Sequence, residues 1–204
     1  MRMTKAAAVA GLSLLAVLAT GCGSSGSGTA HTKPATTVTL LPQRVAKPAP
    51  TELEPSSSPP ADAPFSENLA FELRTRTLDM AGAMGTTSAR CPELGSKTGT
   101  SATCTVIYEG LKVVWDVTIG KKAAWSDNYV QYRAKPRQGL LTRDGVASLL
   151  YGNFQPDEVR CNNIPTAVLV PLDVPSTYAC QTINKGEPGL VEKVRATDAG
   201  PRSY

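Results

Sequence analysis

Residues 89–104 read ARCPELGSKTGTSATC, and residues 159–180 read VRCNNIPTAVLVPLDVPSTYAC. Each stretch opens on an Arg-Cys pair and closes on a second cysteine, 13 positions further on in the first and 19 in the second. A candidate helix precedes each stretch, and a candidate strand begins ten residues after each closing cysteine. Glu109-Gly110 and Lys185-Gly186 occupy matching positions and have the composition of hairpin turns. These correspondences predict an internal duplication.

The elements around the two stretches suggest the fold class. The first helix begins near Ser66, and the second begins after Thr142, whose side chain is suited to capping a helix N-terminus. Strands are expected at Val114–Thr118, Asn128–Arg133 and Leu190–Val194, and in the second of these the side chains alternate between two faces. A helix that covers one face of such a sheet is an α+β arrangement. We therefore predict an α+β fold with two tandem helix-plus-antiparallel-sheet units, each with a local disulfide, after a disordered tether.

The N-terminus has the layout of a bacterial lipoprotein signal. Arg2 and Lys5 precede an apolar stretch from Ala6 to Ala19, and Gly21-Cys22 follows where cleavage is expected. Such an apolar region has the length of a secretory signal and is too short for a spanning helix. The alternative is an ordinary signal peptide with a chance cysteine nearby. We expect cleavage after Gly21 and a diacylglyceryl group, with further acylation such as palmitate, on Cys22.

Four segments follow from this reading. They are a signal peptide (1–21), a disordered tether rich in Pro, Ser, Gly and Thr (22–64), a first α+β unit (65–137) and a second α+β unit (138–200). Half of the chain's 16 prolines lie in the tether, and such a composition buries too little apolar surface to order itself. The expected location is the extracytoplasmic face of the cell membrane, with the lipid on Cys22 as the contact with the bilayer.

Four cysteines remain after Cys22, namely Cys91, Cys104, Cys161 and Cys180. An even number in an exported domain implies disulfides, and four cysteines allow three pairings. The duplication favours the local scheme, Cys91–Cys104 and Cys161–Cys180. A zinc site is the competing interpretation, but the chain has no Cys-x-x-Cys pair and no histidine outside the tether.

The first stretch resembles the core of a known family. Its Cys91–Leu94, Gly99 and Cys104–Val106 are similar to the Cys-Pro…Gly…Cys core of actinobacterial lipoproteins of unknown function. The resemblance covers about residues 66–120 and implies a lipid anchor and a small helix-plus-sheet domain with one disulfide. It implies no chemistry. The second stretch departs from the pattern, since Asn162-Asn163 stands where the family has proline.

A weaker likeness is one of architecture. Secreted proteinaceous inhibitors of β-lactamase also stack two helix-plus-sheet repeats, each with a short-range disulfide. The helix sequences here do not match their motif, and a shared architecture does not establish a function.

Catalytic signals are scarce. The single histidine, His31, lies in the tether, so a Ser-His-Asp or Cys-His site is not expected. No phosphate-binding Gly-rich motif occurs, and no spacing marks two carboxylates as partners. Without Arg2 and Lys5, the mature chain has 19 basic and 17 acidic residues. That balance argues against a concentrated basic face and against nucleic acid as a partner. We expect no catalytic residues, no metal and no cofactor.

One stretch has the composition of a contact surface. Aromatic residues and arginine dominate binding hot spots, and Trp125, Tyr129 and Arg133 combine them on a predicted strand. The alternative is that the two aromatic residues close the edge of the core. A loose basic stretch could meet wall polymer or anionic headgroups, or could simply be solvated; it comprises Lys121, Lys122, Lys135, Arg137 and Arg143.

These features predict a lipid-anchored cell-envelope protein with a non-enzymatic binding or structural role. Its partner would be an unidentified protein or a cell-wall component. The alternative function is an inhibitor or immunity-type module that acts on a secreted or envelope enzyme.

Overall fold

Eleven strands and two helices make up the part of the chain that the computed structural model describes, residues 39–94, 97–123 and 126–204. The helices are α1 (Phe65–Ala81) and α2 (Arg143–Phe154). The strands are β1 (Gln43–Val45), β2 (Thr87–Arg90), β3 (Ser101–Tyr108), β4 (Leu111–Ala123), β5 (Ser126–Pro136), β6 (Gly139–Thr142), β7 (Glu158–Cys161), β8 (Ala167–Val170), β9 (Pro175–Asn184), β10 (Glu187–Thr197) and β11 (Gly200–Ser203).

The strands form three antiparallel sheets. A four-stranded sheet has the order β2-β3-β4-β5, a five-stranded sheet has the order β1-β7-β9-β10-β11, and β6 pairs with β8 alone. The turns at Glu109-Gly110 and Lys185-Gly186 each join two paired strands through two residues with positive φ. Two left-handed residues are what a two-residue type I′ hairpin needs, so the expectation of two matching turns is confirmed.

Both predicted disulfides are present in the local pairing. Cys91 follows the last residue of β2 and is bonded to Cys104 in β3. Cys161 in β7 is bonded to Cys180, its direct partner in β9. All four described cysteines are therefore engaged, and each disulfide joins two neighbouring strands of one sheet.

Helix α1 covers one side of the four-stranded sheet. Its buried stripe contains Leu69 and Leu73, which pack in the same core as Trp115 of β4. The Trp115 indole donates to the Thr77 hydroxyl at 3.2 Å, and that hydroxyl donates to the Leu73 carbonyl at 2.7 Å. Both polar groups in this core are thereby satisfied, as burial requires.

Helix α2 begins as the sequence predicts. Thr142 accepts a hydrogen bond from the backbone N–H of Gly145 at 2.9 Å, which is N-cap geometry. The same hydroxyl donates to the carbonyl of Ala81 at 2.7 Å, the last residue of α1. One buried side chain therefore joins the end of one helix to the start of the other.

The prediction of an α+β fold built from two tandem units is wrong. Strands hold 46% of the described residues and helices only 18%, and both helices contact β6 and β11. Leu140 of β6 belongs to the core under α1, although it lies beyond the predicted boundary at residue 137. All four residues of β6 are buried. A strand buried on both faces lacks the alternation by which a strand is recognised, so the element that links the two halves was overlooked.

The second difference concerns the residues assigned to the tether. Residues 39–64 lie against the fold, and Val38–Tyr204 form one compact unit. β1 pairs with β7, and the Val45 carbonyl accepts from the Tyr151 hydroxyl at 3.1 Å. Leu53 packs against the core under α1. Each proline lacks an amide donor, but the carbonyls of such a segment still accept hydrogen bonds from side chains of the folded part.

The signal peptide, Cys22 and His31 lie outside the described residues. Within the described ranges, no helix is long and apolar enough to cross a membrane.

Candidate binding surface

The three residues predicted as a contact surface lie in or beside β5. Trp125 lies outside the described residues, and the structure describes the backbone of Tyr129 but not its side chain. Arg133 is exposed and lies opposite Thr118 of β4. The structure therefore places one of the three side chains, on the side of the four-stranded sheet that faces away from α1.

That side is defined by strand register and burial. Val106, Val113 and Trp115 are buried under α1, so their neighbours along the strands point the other way. Directly opposed residues of antiparallel strands share a face. The rows on the outward side are Ser88–Ile107–Lys112, Arg90–Thr105–Val114, Thr103–Asp116–Lys135 and Ser101–Thr118–Arg133.

Five cations share this side, which we call the cationic face: Arg90, Lys112, Arg133, Lys135 and Arg137. Asp116 is the single carboxylate on its rows. Apart from Arg137, none of the five has a carboxylate partner among the described residues. Four positive charges are therefore exposed on one side of one sheet without compensation.

Asp116 and Arg137 form the one ion pair on the cationic face. The guanidinium donates to Asp116 from Nη2 at 2.8 Å and from Nε at 3.0 Å, which is a bidentate arrangement. The hydrogen bonds from Arg137 lower the pKa of Asp116 below its ordinary value, and the same contacts raise the pKa of Arg137. The carboxylate thus pairs with Arg137, and none of the other four cations forms an ion pair with it.

The cations are spread rather than convergent. Arg133 and Lys135 are two positions apart on β5, a separation of about 7 Å. The row from Arg90 through β3 and β4 to β5 crosses three strand spacings, or about 14 Å. From Lys112 to Thr118, opposite Arg133, six positions of β4 span about 20 Å. An area of this size fits an extended anionic surface or chain and does not enclose one small anion.

Hydroxyl groups lie between the cations. Ser101 and Thr118 face each other across β3 and β4 with their oxygens 3.2 Å apart, and Thr103 donates to Asp116 at 3.4 Å. Only Ile107 and Val114 are apolar on these rows, and both are partly buried. The face is therefore equipped with charges and hydrogen-bond donors, and it has little apolar surface to offer.

A groove of about 800 Å³ lies in the described part of the chain. It lies between residues 47–53, the residues after α1 and one side of α2. Asp144 is the one carboxylate and Lys47 the one cation among its lining residues. Its polar side chains are contributed mainly by α2, at Ser148, Tyr151 and Gln155. The lining has one carboxylate, and among the described residues no hydrogen bond joins Asp144 to Ser148 or Tyr151.

The titratable groups offer no metal site among the described residues, and one tyrosine has a shifted pKa. In the described ranges, no group of three or more His, Cys, Asp or Glu side chains is arranged to hold a metal ion. Burial raises the pKa of Tyr108 to about 12, with the charges of Glu109 and Asp144 adding to the shift. Its hydroxyl donates to the Met84 carbonyl at 3.1 Å, so Tyr108 holds the turn after α1.

Sequence reasoning missed most of the cationic face. In the sequence, Arg90 stands out only as part of the repeated Arg-Cys pair, and no local pattern singles out Lys112. Net charge argued against a basic face because it sums over the whole chain and ignores segregation between the two sides of a sheet. The available signal was the period-2 alternation in β2–β5, which places every second residue on the outward side.

No family model, curated protein or solved structure matches this chain.

Proposed function

We propose that this chain is a lipid-anchored protein of the cell envelope that acts by binding, and that its cationic face holds a polyanionic partner. The observation that carries the proposal is the set of four uncompensated cations, Arg90, Lys112, Arg133 and Lys135, on one side of the four-stranded sheet. Uncompensated surface charge contributes little to stability and much to association with an oppositely charged partner.

The anchor is supported by the sequence and by the disulfides. Gly21-Cys22 stands at the end of the apolar signal region. The four described cysteines are all in disulfides, which is typical of proteins outside the cytoplasm. Intact mass of the membrane-extracted protein tests this part. A mass that starts at an acylated Cys22, with no free thiol before reduction, supports the anchor, and an unacylated mass contradicts it.

A binding role without catalysis is supported by how the groups are placed. The bonded cysteines carry no thiol that could act as a nucleophile. The cations lie across an open sheet face instead of converging on one point. Such an array recognises repeated negative charge, as on a polymer or a surface.

The cationic face is tested with inorganic polyphosphate as the probe. The mature chain from residue 22, carrying Cys22→Ser so that no lipid is attached, should bind it with an affinity that falls as salt rises. The triple variant Arg90→Gln, Arg133→Gln, Lys135→Gln should bind at least tenfold more weakly.

The matched control removes three exposed cations elsewhere, with Lys185→Gln, Lys193→Gln and Arg202→Gln. It has the same net charge as the first variant, so a loss that depends only on net charge would appear in both. Equal affinity of the two variants would overturn the proposal that the cationic face is the binding surface.

A further inference from the structure

We infer that the partner of the cationic face is the anionic phospholipid surface of the membrane in which the lipid on Cys22 is inserted. This inference rests on the proposed function, because it names the partner of the same surface. The protein would then contact the membrane in two places, through the acyl chains on Cys22 and through the four-stranded sheet.

Charge complementarity is the first argument. Arg90, Lys112, Arg133 and Lys135 are exposed and without carboxylate partners among the described residues. Negatively charged headgroups attract basic side chains that lie within a Debye length of the surface. The spread of the cations over about 14 Å by 20 Å lets several headgroups be contacted together.

The surface chemistry of the face indicates contact at headgroup level. The Thr105 hydroxyl lies on the row of Arg90 and Val114, and a hydroxyl group can donate to a phosphate oxygen. Ile107 and Val114, the apolar residues there, are partly buried in the sheet. The face therefore has no large apolar side chain to insert into the acyl region, and we expect the contact to be reversed by salt.

The length of chain between the anchor and the fold selects the membrane over a distant partner. The described part of the chain begins at Thr39, so residues 23–38 separate it from Cys22. Sixteen residues span at most about 58 Å even when fully extended. A unit of this size has a radius of gyration of about 15 Å. The bilayer is thus always within reach of the fold, at a high effective concentration.

The position of the face allows the contact without hiding the rest of the molecule. Helix α1 packs on the opposite side of the four-stranded sheet. The groove between residues 47–53 and α2 is lined by none of the cationic-face residues. A sheet that lies on headgroups would leave that groove open.

Vesicle sedimentation tests the inference with the unlipidated mature chain, from residue 22 with Cys22→Ser. Two kinds of vesicle are compared, phosphatidylcholine alone and equal parts of phosphatidylcholine and phosphatidylglycerol. We expect binding only to the vesicles with phosphatidylglycerol, and release as salt is raised. Each basic residue near an anionic surface contributes roughly fivefold in affinity. Arg90→Gln, Arg133→Gln, Lys135→Gln should therefore weaken binding by about 100-fold.

The control variant Lys185→Gln, Lys193→Gln, Arg202→Gln should bind these vesicles like the unsubstituted chain. We expect both triple variants to fold, because all six substituted side chains are exposed. Circular dichroism and the unfolding midpoint check this expectation.

The outcomes separate the inference from the proposed function. Face-dependent binding to polyphosphate without binding to either kind of vesicle would overturn the inference and keep the proposed function. No binding to polyphosphate or vesicles, or equal losses in both triple variants, would overturn both. Equal binding to the two kinds of vesicle would contradict headgroup charge as the feature that is recognised.

Discussion

Cys91 is joined to Cys104 in the four-stranded sheet, and Cys161 is joined to Cys180 in the five-stranded sheet. Each sheet also contains a hairpin with two left-handed turn residues, and each half of the chain contributes one helix. The same local devices therefore occur twice. The two sheets differ in how many of the cations on their outward sides have partners.

In the five-stranded sheet, Arg44, Arg160 and Arg195 have partners, whereas Lys193 and Arg202 form no ion pair among the described residues. Glu158 lies 2.5 Å from Arg160 and 3.5 Å from Arg44, and the Arg195 guanidinium lies 5.8 Å from the centroid of the Tyr204 ring. On the cationic face only Arg137 is paired, with Asp116. The difference is one of degree: one sheet holds three of its cations in contacts with neighbouring side chains, whereas the cationic face holds only Arg137 in this way.

Removal of the disulfides should produce the largest change in stability. The loss in the free energy of unfolding should also differ between the two sheets. Cys161→Ala with Cys180→Ala should lower the free energy of unfolding by about 4 kcal/mol, and Cys91→Ala with Cys104→Ala by about 3 kcal/mol. The first pair closes the longer loop, and both of its cysteines are about 1% exposed. Cys91 lies beyond the end of β2 and is partly exposed. Denaturant unfolding measures both losses, and the reverse order would contradict this account.

Gly145→Ala should show that the two halves fold as one unit. A Cβ at Gly145 would lie 2.0 Å from the Ala81 carbonyl oxygen, where α2 meets the end of α1. We expect a loss of about 2–3 kcal/mol in the free energy of unfolding, still with one cooperative transition.

The control for this substitution is Gly152→Ala in the same helix, where a Cβ would have no heavy atom within 4 Å. It should stabilise the protein by about 0.5 kcal/mol, because alanine loses less backbone entropy in a helix. Two separate unfolding transitions in Gly145→Ala would mean that the four-stranded sheet is stable alone.

Asp116→Asn should increase the difference in net positive charge between the outward sides of the two sheets. The carboxamide no longer neutralises Arg137, so the cationic face gains one net positive charge. We expect affinity for phosphatidylglycerol vesicles to rise about fivefold at neutral pH.

The pKa of Asp116 is lowered by its hydrogen bonds from Arg137, so the unsubstituted chain keeps this carboxylate ionised until the pH falls below the usual range of aspartate. The advantage of the variant should therefore persist at mildly acidic pH and vanish only once Asp116 is protonated. Lower affinity in the variant would contradict the assignment of the face.

Asp79→Asn should have the smallest effect, at the end of α1. Burial and the charge of Glu72 raise the pKa of Asp79, while Arg76 opposes them. A raised pKa means that the ionised form is disfavoured in the folded state, so the penalty is present above the folded pKa and disappears below about 3.8. Because Asp79 is only partly desolvated and its side chain remains largely exposed, solvent screening should limit the gain to about 0.3 kcal/mol at neutral pH. Urea unfolding should show no gain below pH 3.

Much of the local structure was predictable from the sequence. The Thr142 cap, the two disulfides and the two hairpin turns each depend on a few adjacent or regularly spaced residues. These are signals that short-range sterics and hydrogen bonding impose on the chain.

The assembly was not predictable in the same way. β1 is three residues long within a Pro-rich segment and exists because β7 offers it a partner more than a hundred positions away. β6 is buried on both faces and has no alternation to identify it. Because β6 packs under α1, the two units that the sequence predicts share a core and form one unit. Arg133 was found through its aromatic neighbours, whereas Arg90 reaches the same face only through the pairing of β2 with β3.

The most direct test of the cationic face uses the lipid-anchored full chain in vesicles and an amine-reactive label read by mass spectrometry. Lys112 and Lys135 report on the cationic face, and Lys185 and Lys193 report on exposed positions of the other sheet. With phosphatidylglycerol present, labelling of Lys112 and Lys135 should fall several-fold relative to phosphatidylcholine alone, while Lys185 and Lys193 should label equally in both. Equal labelling of all four lysines in the two membranes would contradict the account.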